Sequence, residues 1–138
     1  MQLLKIYYAY FSPGNTTEKV VSHIASSFQN YPVESINLTD YATRQEDYYF
    51  KENELLIIGV PAYGGRVPAP VVDALRHFTG SNTPVVLVAT YGNRDIDDTL
   101  IELKKNVIDK GFIPVGAASF VCQHTFLKEC AEGRPDEE

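Results

Sequence analysis

The sequence predicts an α/β fold in which a five-stranded parallel sheet lies between two layers of helices. Short apolar runs, typical of strands buried on both faces, alternate with segments whose apolar residues recur at helical spacing. This alternation predicts a parallel sheet with right-handed crossovers and helices on both faces. At 138 residues the chain is long enough for one domain with a sizeable core. We predict the strand order 2-1-3-4-5.

Five segments have the apolar or alternating pattern of strands. The second is short and alternates, which suits a place near the edge of the sheet. In the fifth, Gly116, Ala117 and Ala118 predict close packing against a helix. Residues 38–53 are polar and rich in tyrosine, and they predict a short helix and a loop. The predicted strands are residues 3–11, 33–37, 55–60, 84–90 and 112–122.

Three helices are predicted from apolar residues that fall on one face. The first covers residues 16–29, and the second begins at Pro70. The third is capped by Asp97 or Asp98 and runs to about residue 110. Their inward faces are Val20, Val21, Ile24, Ala25 and Phe28 in the first, Val71, Val72, Leu75 and Phe78 in the second, and Leu100, Leu103 and Val107 in the third.

The loop between the first strand and the first helix predicts an anion site. It reads Ser12-Pro13-Gly14-Asn15-Thr16-Thr17, and a helical pattern follows at once. The first N–H groups of a helix have no intrahelical partner, and the helix dipole favours negative charge beside them. The hydroxyls of this loop and the Asn15 amide complete a cradle for a phosphate. The simpler alternative is a hydroxyl that only caps the helix.

Two further loops each place an aromatic residue beside glycine, at Tyr63-Gly64-Gly65 and at Tyr91-Gly92. In the predicted strand order, the strands before all three loops are neighbours, so the loops meet at the carboxyl edge of the sheet, where ligands bind. A flat aromatic ring stacks well between tyrosines. A phosphate cradle beside two stacking surfaces indicates a nucleotide-like ligand, and flavin mononucleotide (FMN) fits best. Taken singly, each tyrosine is also typical of a pocket rim and each glycine pair of a turn.

Composition and charge exclude several classes of function. The net charge of −6 argues against binding nucleic acid and favours a basic protein partner. No apolar run is long enough to span a membrane, and no signal-peptide pattern is present. Cys122 and Cys130 form no disulfide or metal pattern, and His124 has no partner at ligand spacing. We therefore expect a cytoplasmic protein with reduced cysteines and no metal site.

These motifs resemble those of the flavodoxin family. Residues 12–17 are similar to its phosphate loop, a Ser/Thr-x-Thr-Gly-x-Thr pattern, although Gly14-Asn15 stands where the family has Thr-Gly. Asparagine tolerates the left-handed conformation, so we expect the turn to be kept with one hydroxyl fewer. A longer resemblance, to the flavodoxin domains of ferredoxin–flavodoxin fusion proteins, covers nearly the whole chain. It rests on Gly59-Val60-Pro61-Ala62-Tyr63-Gly64-Gly65-Arg66-Val67-Pro68, on Tyr91-Gly92-Asn93-Arg94 with Asp97-Asp98, and on Gly133-Arg134-Pro135-Asp136.

The resemblance implies a three-layer flavodoxin-like fold in a single domain, residues 1–138, with a C-terminal helix that is short or missing. It implies non-covalently bound FMN and electron transfer to a redox protein, for instance a ferredoxin-type domain, with no catalytic residue of the protein itself. In the fusion group an iron–sulfur domain commonly follows, so we expect either truncation before the helix and that domain or a helix-binding face that something else covers. The expected FMN-binding residues are Ser12, Pro13, Gly14, Asn15, Thr16, Thr17, Pro61, Ala62, Tyr63, Gly64, Gly65, Thr90, Tyr91, Gly92, Asn93, Asp95 and Asp98.

An electron carrier is favoured, and two alternatives stay open. An NAD(P)H-dependent flavin or quinone reductase of the same fold would need a second pocket over the flavin, where Arg66 and Arg94 would contact nucleotide phosphates. A partner-binding module without flavin is the interpretation that survives if FMN does not bind. A receiver domain needs acidic residues after the first strand, and a low-molecular-weight phosphatase needs a cysteine in the first loop; this chain has neither.

Overall fold

The computed structural model of the protein describes residues 2–63, 65–91 and 97–121. Its elements follow in the order β1 (Lys5–Tyr10), α1 (Thr16–Ser26), β2 (Val33–Asn37), α2 (Tyr41–Arg44), β3 (Tyr48–Tyr49), β4 (Glu54–Pro61), α3 (Ala69–Leu75), β5 (Phe78–Thr79), β6 (Thr83–Tyr91), α4 (Asp97–Asp109) and β7 (Phe112–Val121).

The longer strands form a parallel five-stranded sheet in the order β2-β1-β4-β6-β7. Because β3 and β5 pair only with each other in a separate two-stranded sheet, this is the predicted 2-1-3-4-5 order, which is confirmed. At the carboxyl edge, Tyr10 is paired with Gly59, and Pro61 with Thr90. The loops that follow β1, β4 and β6 therefore leave the sheet side by side.

Helices cover both faces of the sheet, so the predicted three layers are confirmed. On one face, Val20, Val21 and Ala25 of α1 pack with Ile57 and Val88 of the sheet. The other face is covered by α3 and α4, whose buried residues Val71, Ala74, Leu75, Leu103 and Val107 pack against Leu56, Ile58, Val60, Val85 and Leu87.

Gly59 allows α1 to lie directly on β4. A Cβ atom at this position would clash with Cγ1 of Val21 and would lie 3.1 Å from Cγ2 of Thr17. Any side chain here would push α1 away from the strand. The glycine thus seats the first turn of α1, which carries Thr17, against the carboxyl end of β4.

The structure differs from the sequence prediction around the helix ends. α1 ends at Ser26 instead of residue 29, and α3 ends at Leu75. Phe78 was predicted on the inward face of the second helix, which is wrong: it lies in β5, fully buried, with its ring against Tyr48 and Phe50. Its three-residue spacing from Leu75 continues the helical pattern, but the chain has already left the helix. The tyrosine-rich segment contains the predicted short helix, α2, and the unpredicted strand β3.

The expectation that a helix packs closely against β7 at residues 116–118 stays a prediction, because the chain after Val121 lies outside the described residues. Gly116 and Ala117 are exposed, and a Cβ on Gly116 would meet only Cγ2 of Val86, at 3.9 Å. Ile113 and Val115 of the same strand are also exposed. The predicted C-terminal helix, both cysteines and His124 fall outside the described residues. No helix of the described residues is long and apolar enough to cross a membrane.

Candidate functional site

The loop between β1 and α1 forms a tight turn at the carboxyl edge of the sheet. The Asn15 N–H donates to the Ser12 carbonyl (3.0 Å), and Asn15 adopts the left-handed conformation (φ 68°, ψ −1°) immediately before the helix. Glycine adopts this conformation without strain, and Asn15 stands where the motif that the loop resembles has glycine. The expectation that asparagine keeps the turn is confirmed.

Ser12 fixes this turn in place from two sides. Its hydroxyl oxygen accepts the Glu18 N–H of the first turn of α1 (2.9 Å), and its own N–H donates to Oγ1 of Thr39 (2.7 Å). The Ser12 hydroxyl hydrogen is still available to donate to a ligand, since a hydroxyl accepts and donates independently. Thr39 was missed by sequence reasoning. Its position two residues after the second strand, at the same sheet edge, is the signal that could have found it.

The N–H groups of Gly14, Thr16 and Thr17 have no hydrogen-bond partner within residues 2–63, 65–91 and 97–121. They surround the N-terminus of α1, where the helix dipole favours an anion. The carboxylate of Glu18, also in this first turn, accepts the Tyr10 hydroxyl (3.3 Å). Burial, followed by the nearby Glu18 charge, raises the pKa of Tyr10 to about 12. The donors that the turn offers to an anion are backbone N–H groups and hydroxyls, which carry no charge.

Thr17, in the first turn of α1, and Thr90, at the carboxyl end of β6, form a buried hydrogen bond. Their Oγ1 atoms lie 2.8 Å apart, and the two residues are only 3% and 4% exposed. The Thr90 carbonyl also accepts the Ala62 N–H of the second loop (2.8 Å). Thr90 therefore contacts both of the other predicted site loops.

The second loop is a tight turn closed by a pair of hydrogen bonds between Tyr63 and Arg66, each 3.0 Å long. Gly65 within the turn has φ 78°, a conformation that favours glycine. Tyr63 is 52% exposed, and its ring is nearly perpendicular to that of Phe11, with 6.4 Å between the ring centroids. Tyr63 is therefore a half-exposed aromatic residue in the lining of the site.

Glu102 of α4 ties this second loop to the rest of the protein. Its carboxylate accepts hydrogen bonds from Nε and Nη2 of Arg66 (3.0 and 3.3 Å) and from the Val67 N–H (3.1 Å). The Arg66 guanidinium hydrogen bond lowers the pKa of Glu102, and Glu102 raises that of Arg66. Sequence reasoning missed Glu102, because its partner lies 36 residues away and no local pattern joins them.

These loops enclose a pocket of about 240 Å³. All of its lining residues were predicted as site residues, but whether they hold a cofactor stays a prediction. Asn15 and Gly65 shape the turns beside it, and Asp98, exposed on α4, acts electrostatically on Arg66. Gly64, Gly92, Asn93 and Asp95 lie outside the described residues. The lining consists of Ser12, Pro13, Gly14, Thr16, Thr17, Pro61, Ala62, Tyr63, Thr90 and Tyr91.

The three-layer arrangement, the strand order and the position of this pocket define a flavodoxin-like fold. No family model and no curated protein matches the chain. The structure of two-electron reduced flavodoxin from Megasphaera elsdenii is similar, with a TM-score of 0.61 and 21% identity over 93% of this chain and 96% of that one. A flavoprotein in complex with FMN from Lactobacillus acidophilus NCFM has a TM-score of 0.60 and 16% identity over 84% of this chain and 93% of its own.

Flavodoxin 2 from Bacillus cereus, in its oxidised form, has a TM-score of 0.55 and 13% identity, with 92% of each chain covered. Identities this low establish a shared fold.

Proposed function

We propose that the protein is an FMN-binding electron-transfer protein. The observation that carries the proposal is that a helix N-terminus with unpartnered N–H groups and two tyrosines meet around one pocket. The flavoprotein from Lactobacillus acidophilus NCFM, which has the same fold, is in complex with FMN. The redox chemistry belongs to the bound flavin, whose ring system accepts and releases electrons. The residues of this chain would bind and orient it.

The residues of the pocket fit the two ends of FMN. The unpartnered N–H groups of Gly14, Thr16 and Thr17 would donate to the phosphate, and the helix dipole adds to the attraction. Tyr63 and Tyr91 would bound the flat ring system, each stacking contact adding about 0.5–1.5 kcal/mol beyond the burial of apolar area. Tyr63 is 52% exposed, so this side of the pocket is accessible to a partner.

The ion pair between Arg66 and Glu102 favours an electron carrier over the reductase alternative. A reductase would need free cations beside the flavin to hold the phosphates of NAD(P)H, but Arg66 is paired with Glu102. Arg94, the other candidate, lies outside the described residues. A second cavity, of about 260 Å³, lies between α3 and α4 at Leu75 and Lys110, at the far ends of these helices from the first pocket. It does not adjoin the proposed flavin site.

Titration of the apoprotein with FMN, followed by flavin fluorescence, tests the binding. We expect quenching that saturates at one FMN per chain, and a protein that causes no quenching would refute the proposal in favour of a partner-binding module. Stopped-flow mixing of the FMN complex with NADPH then separates carrier from reductase. A carrier is bleached by dithionite but only slowly by NADPH, whereas rapid bleaching by NADPH would favour the reductase.

We also propose that the partner is a redox protein with a basic docking surface, and a ferredoxin-type domain is the candidate that the sequence resemblance suggests. The net charge of −6 favours such a partner by long-range attraction. If so, the rate of electron transfer to a basic redox protein falls as ionic strength rises, because salt screens the attraction. A rate independent of salt would count against a charged docking surface.

A further inference from the structure

The hydroxyl pair formed by Thr17 and Thr90 carries an inference that rests on the proposed FMN site. The two Oγ1 atoms are 2.8 Å apart, and both residues line the pocket while remaining almost fully buried. A threonine hydroxyl has a single hydrogen to donate, while its oxygen can accept. The direction of the hydrogen bond between them therefore decides which of the two can donate to a ligand.

We propose that Thr90 is a positioning residue: its hydroxyl donates to Oγ1 of Thr17, so that the Thr17 hydrogen is directed to the ligand phosphate. Thr17 belongs to the first turn of α1, beside the unpartnered N–H groups that would surround the phosphate. When the bond has this direction, Oγ1 of Thr17 accepts the hydrogen of Thr90. The single hydroxyl hydrogen of Thr17 is then free to donate to the anion. Hydrogen bonds in such a chain polarise one another, so the bond to the phosphate is strengthened.

Ser12 is arranged in the same way on the other side of the turn. Its hydroxyl oxygen accepts the Glu18 N–H, which leaves its hydrogen for a ligand. In both cases a protein donor occupies the hydroxyl oxygen. Thr90 makes a second contact that the donor to Ser12 does not make: its carbonyl accepts the Ala62 N–H. Thr90 therefore links Thr17 to the loop that carries Tyr63.

The test compares dissociation constants for FMN and for riboflavin, which lacks the phosphate, in wild type and in Thr90→Val, an isosteric variant without the hydroxyl. We expect Thr90→Val to weaken FMN binding about 2- to 10-fold, the range for one hydrogen bond in such a chain. Riboflavin binding should be unchanged, and Thr90→Ser, which keeps a hydroxyl, should restore FMN binding. Equal weakening for both flavins, or no weakening for FMN, would overturn the inference.

A double-mutant cycle with Thr17→Val tests the direction of the hydrogen bond. Thr17→Val should weaken FMN binding about 10- to 100-fold, as expected for loss of a donor to a charged group. If Thr90 acts only through Thr17, Thr90→Val has no further effect in the Thr17→Val protein. If Thr90 itself contacts the phosphate, its full effect persists in that background, and the proposed direction is wrong.

Thr83 provides the matched control. It lies on the same strand as Thr90, is also fully buried, accepts the Ser81 N–H (3.1 Å) and donates to the Lys51 carbonyl (2.9 Å), but at the opposite end of β6. Thr83→Val should lower stability without changing the FMN-to-riboflavin ratio. A wild-type protein that binds neither flavin would refute the proposed function itself. Wild-type binding with an unchanged ratio in Thr90→Val would refute this inference alone.

Discussion

Replacement of Gly59 by alanine tests how closely α1 is seated on the sheet. The new Cβ would lie closer than 3.0 Å to Cγ1 of Val21, more than about 0.5 Å short of the ~3.5 Å at which carbon atoms make contact. Val21 is fully buried and β-branched, so its χ1 angle is nearly fixed in a helix and it cannot rotate away. The helix must therefore move, and overpacking of this kind costs about 1–3 kcal/mol.

Urea unfolding of the apoprotein, followed by circular dichroism, measures this cost. Gly59→Ala should unfold at lower urea with an unchanged slope. The loss of stability that it causes should be smaller in a Val21→Ala background than in wild type, because Val21→Ala removes the clashing methyl group. Gly116→Ala is the matched strand control: its Cβ would meet only Val86, at 3.9 Å, so it should be neutral or slightly stabilising. A Gly59→Ala protein as stable as wild type, or an equal loss in both backgrounds, would refute the reasoning.

Three further predictions concern the site. Tyr63→Ala should weaken FMN binding by about 2- to 12-fold from lost stacking alone, while Tyr49→Ala, at a more exposed tyrosine of β3 (74% against 52%), should leave it unchanged in the same fluorescence titration. Asn15→Ala should lower the free energy of unfolding by about 1 kcal/mol because alanine resists the left-handed conformation, whereas Asn15→Gly should be tolerated; equal losses would argue against this cause. The folded-state pKa of Glu102 is lowered below its ordinary value of 4.5, so its contribution to stability is present above that pH and is lost as pH falls through the lowered pKa. The stability difference between wild type and Glu102→Gln in urea should therefore shrink as the pH falls from neutral to below 4.5, and a difference independent of pH would contradict the assignment.

The order of the long strands and the position of the pocket could be predicted because both follow from local patterns. Apolar runs and helical spacing identify the elements, and the rules for parallel sheets bring the loops after three of the strands to one edge. The two-residue strands escaped prediction because neither Tyr48–Tyr49 nor Phe78–Thr79 is long enough to show a period. Side-chain partners were also missed: Thr39 and Glu102 act on residues 27 and 36 positions away, and only the folded chain brings them together.

The pocket is assembled from three stretches of chain that meet only when β1, β4 and β6 are paired. A ligand that contacts all three stretches binds the folded chain, but the unfolded chain has no assembled site for it. Its concentration then sets the apparent stability by mass action: free ligand at 100 times its dissociation constant adds about 2.7 kcal/mol. For this fold, supply of the ligand inside a cell would decide how many destabilising substitutions the chain tolerates before it is degraded.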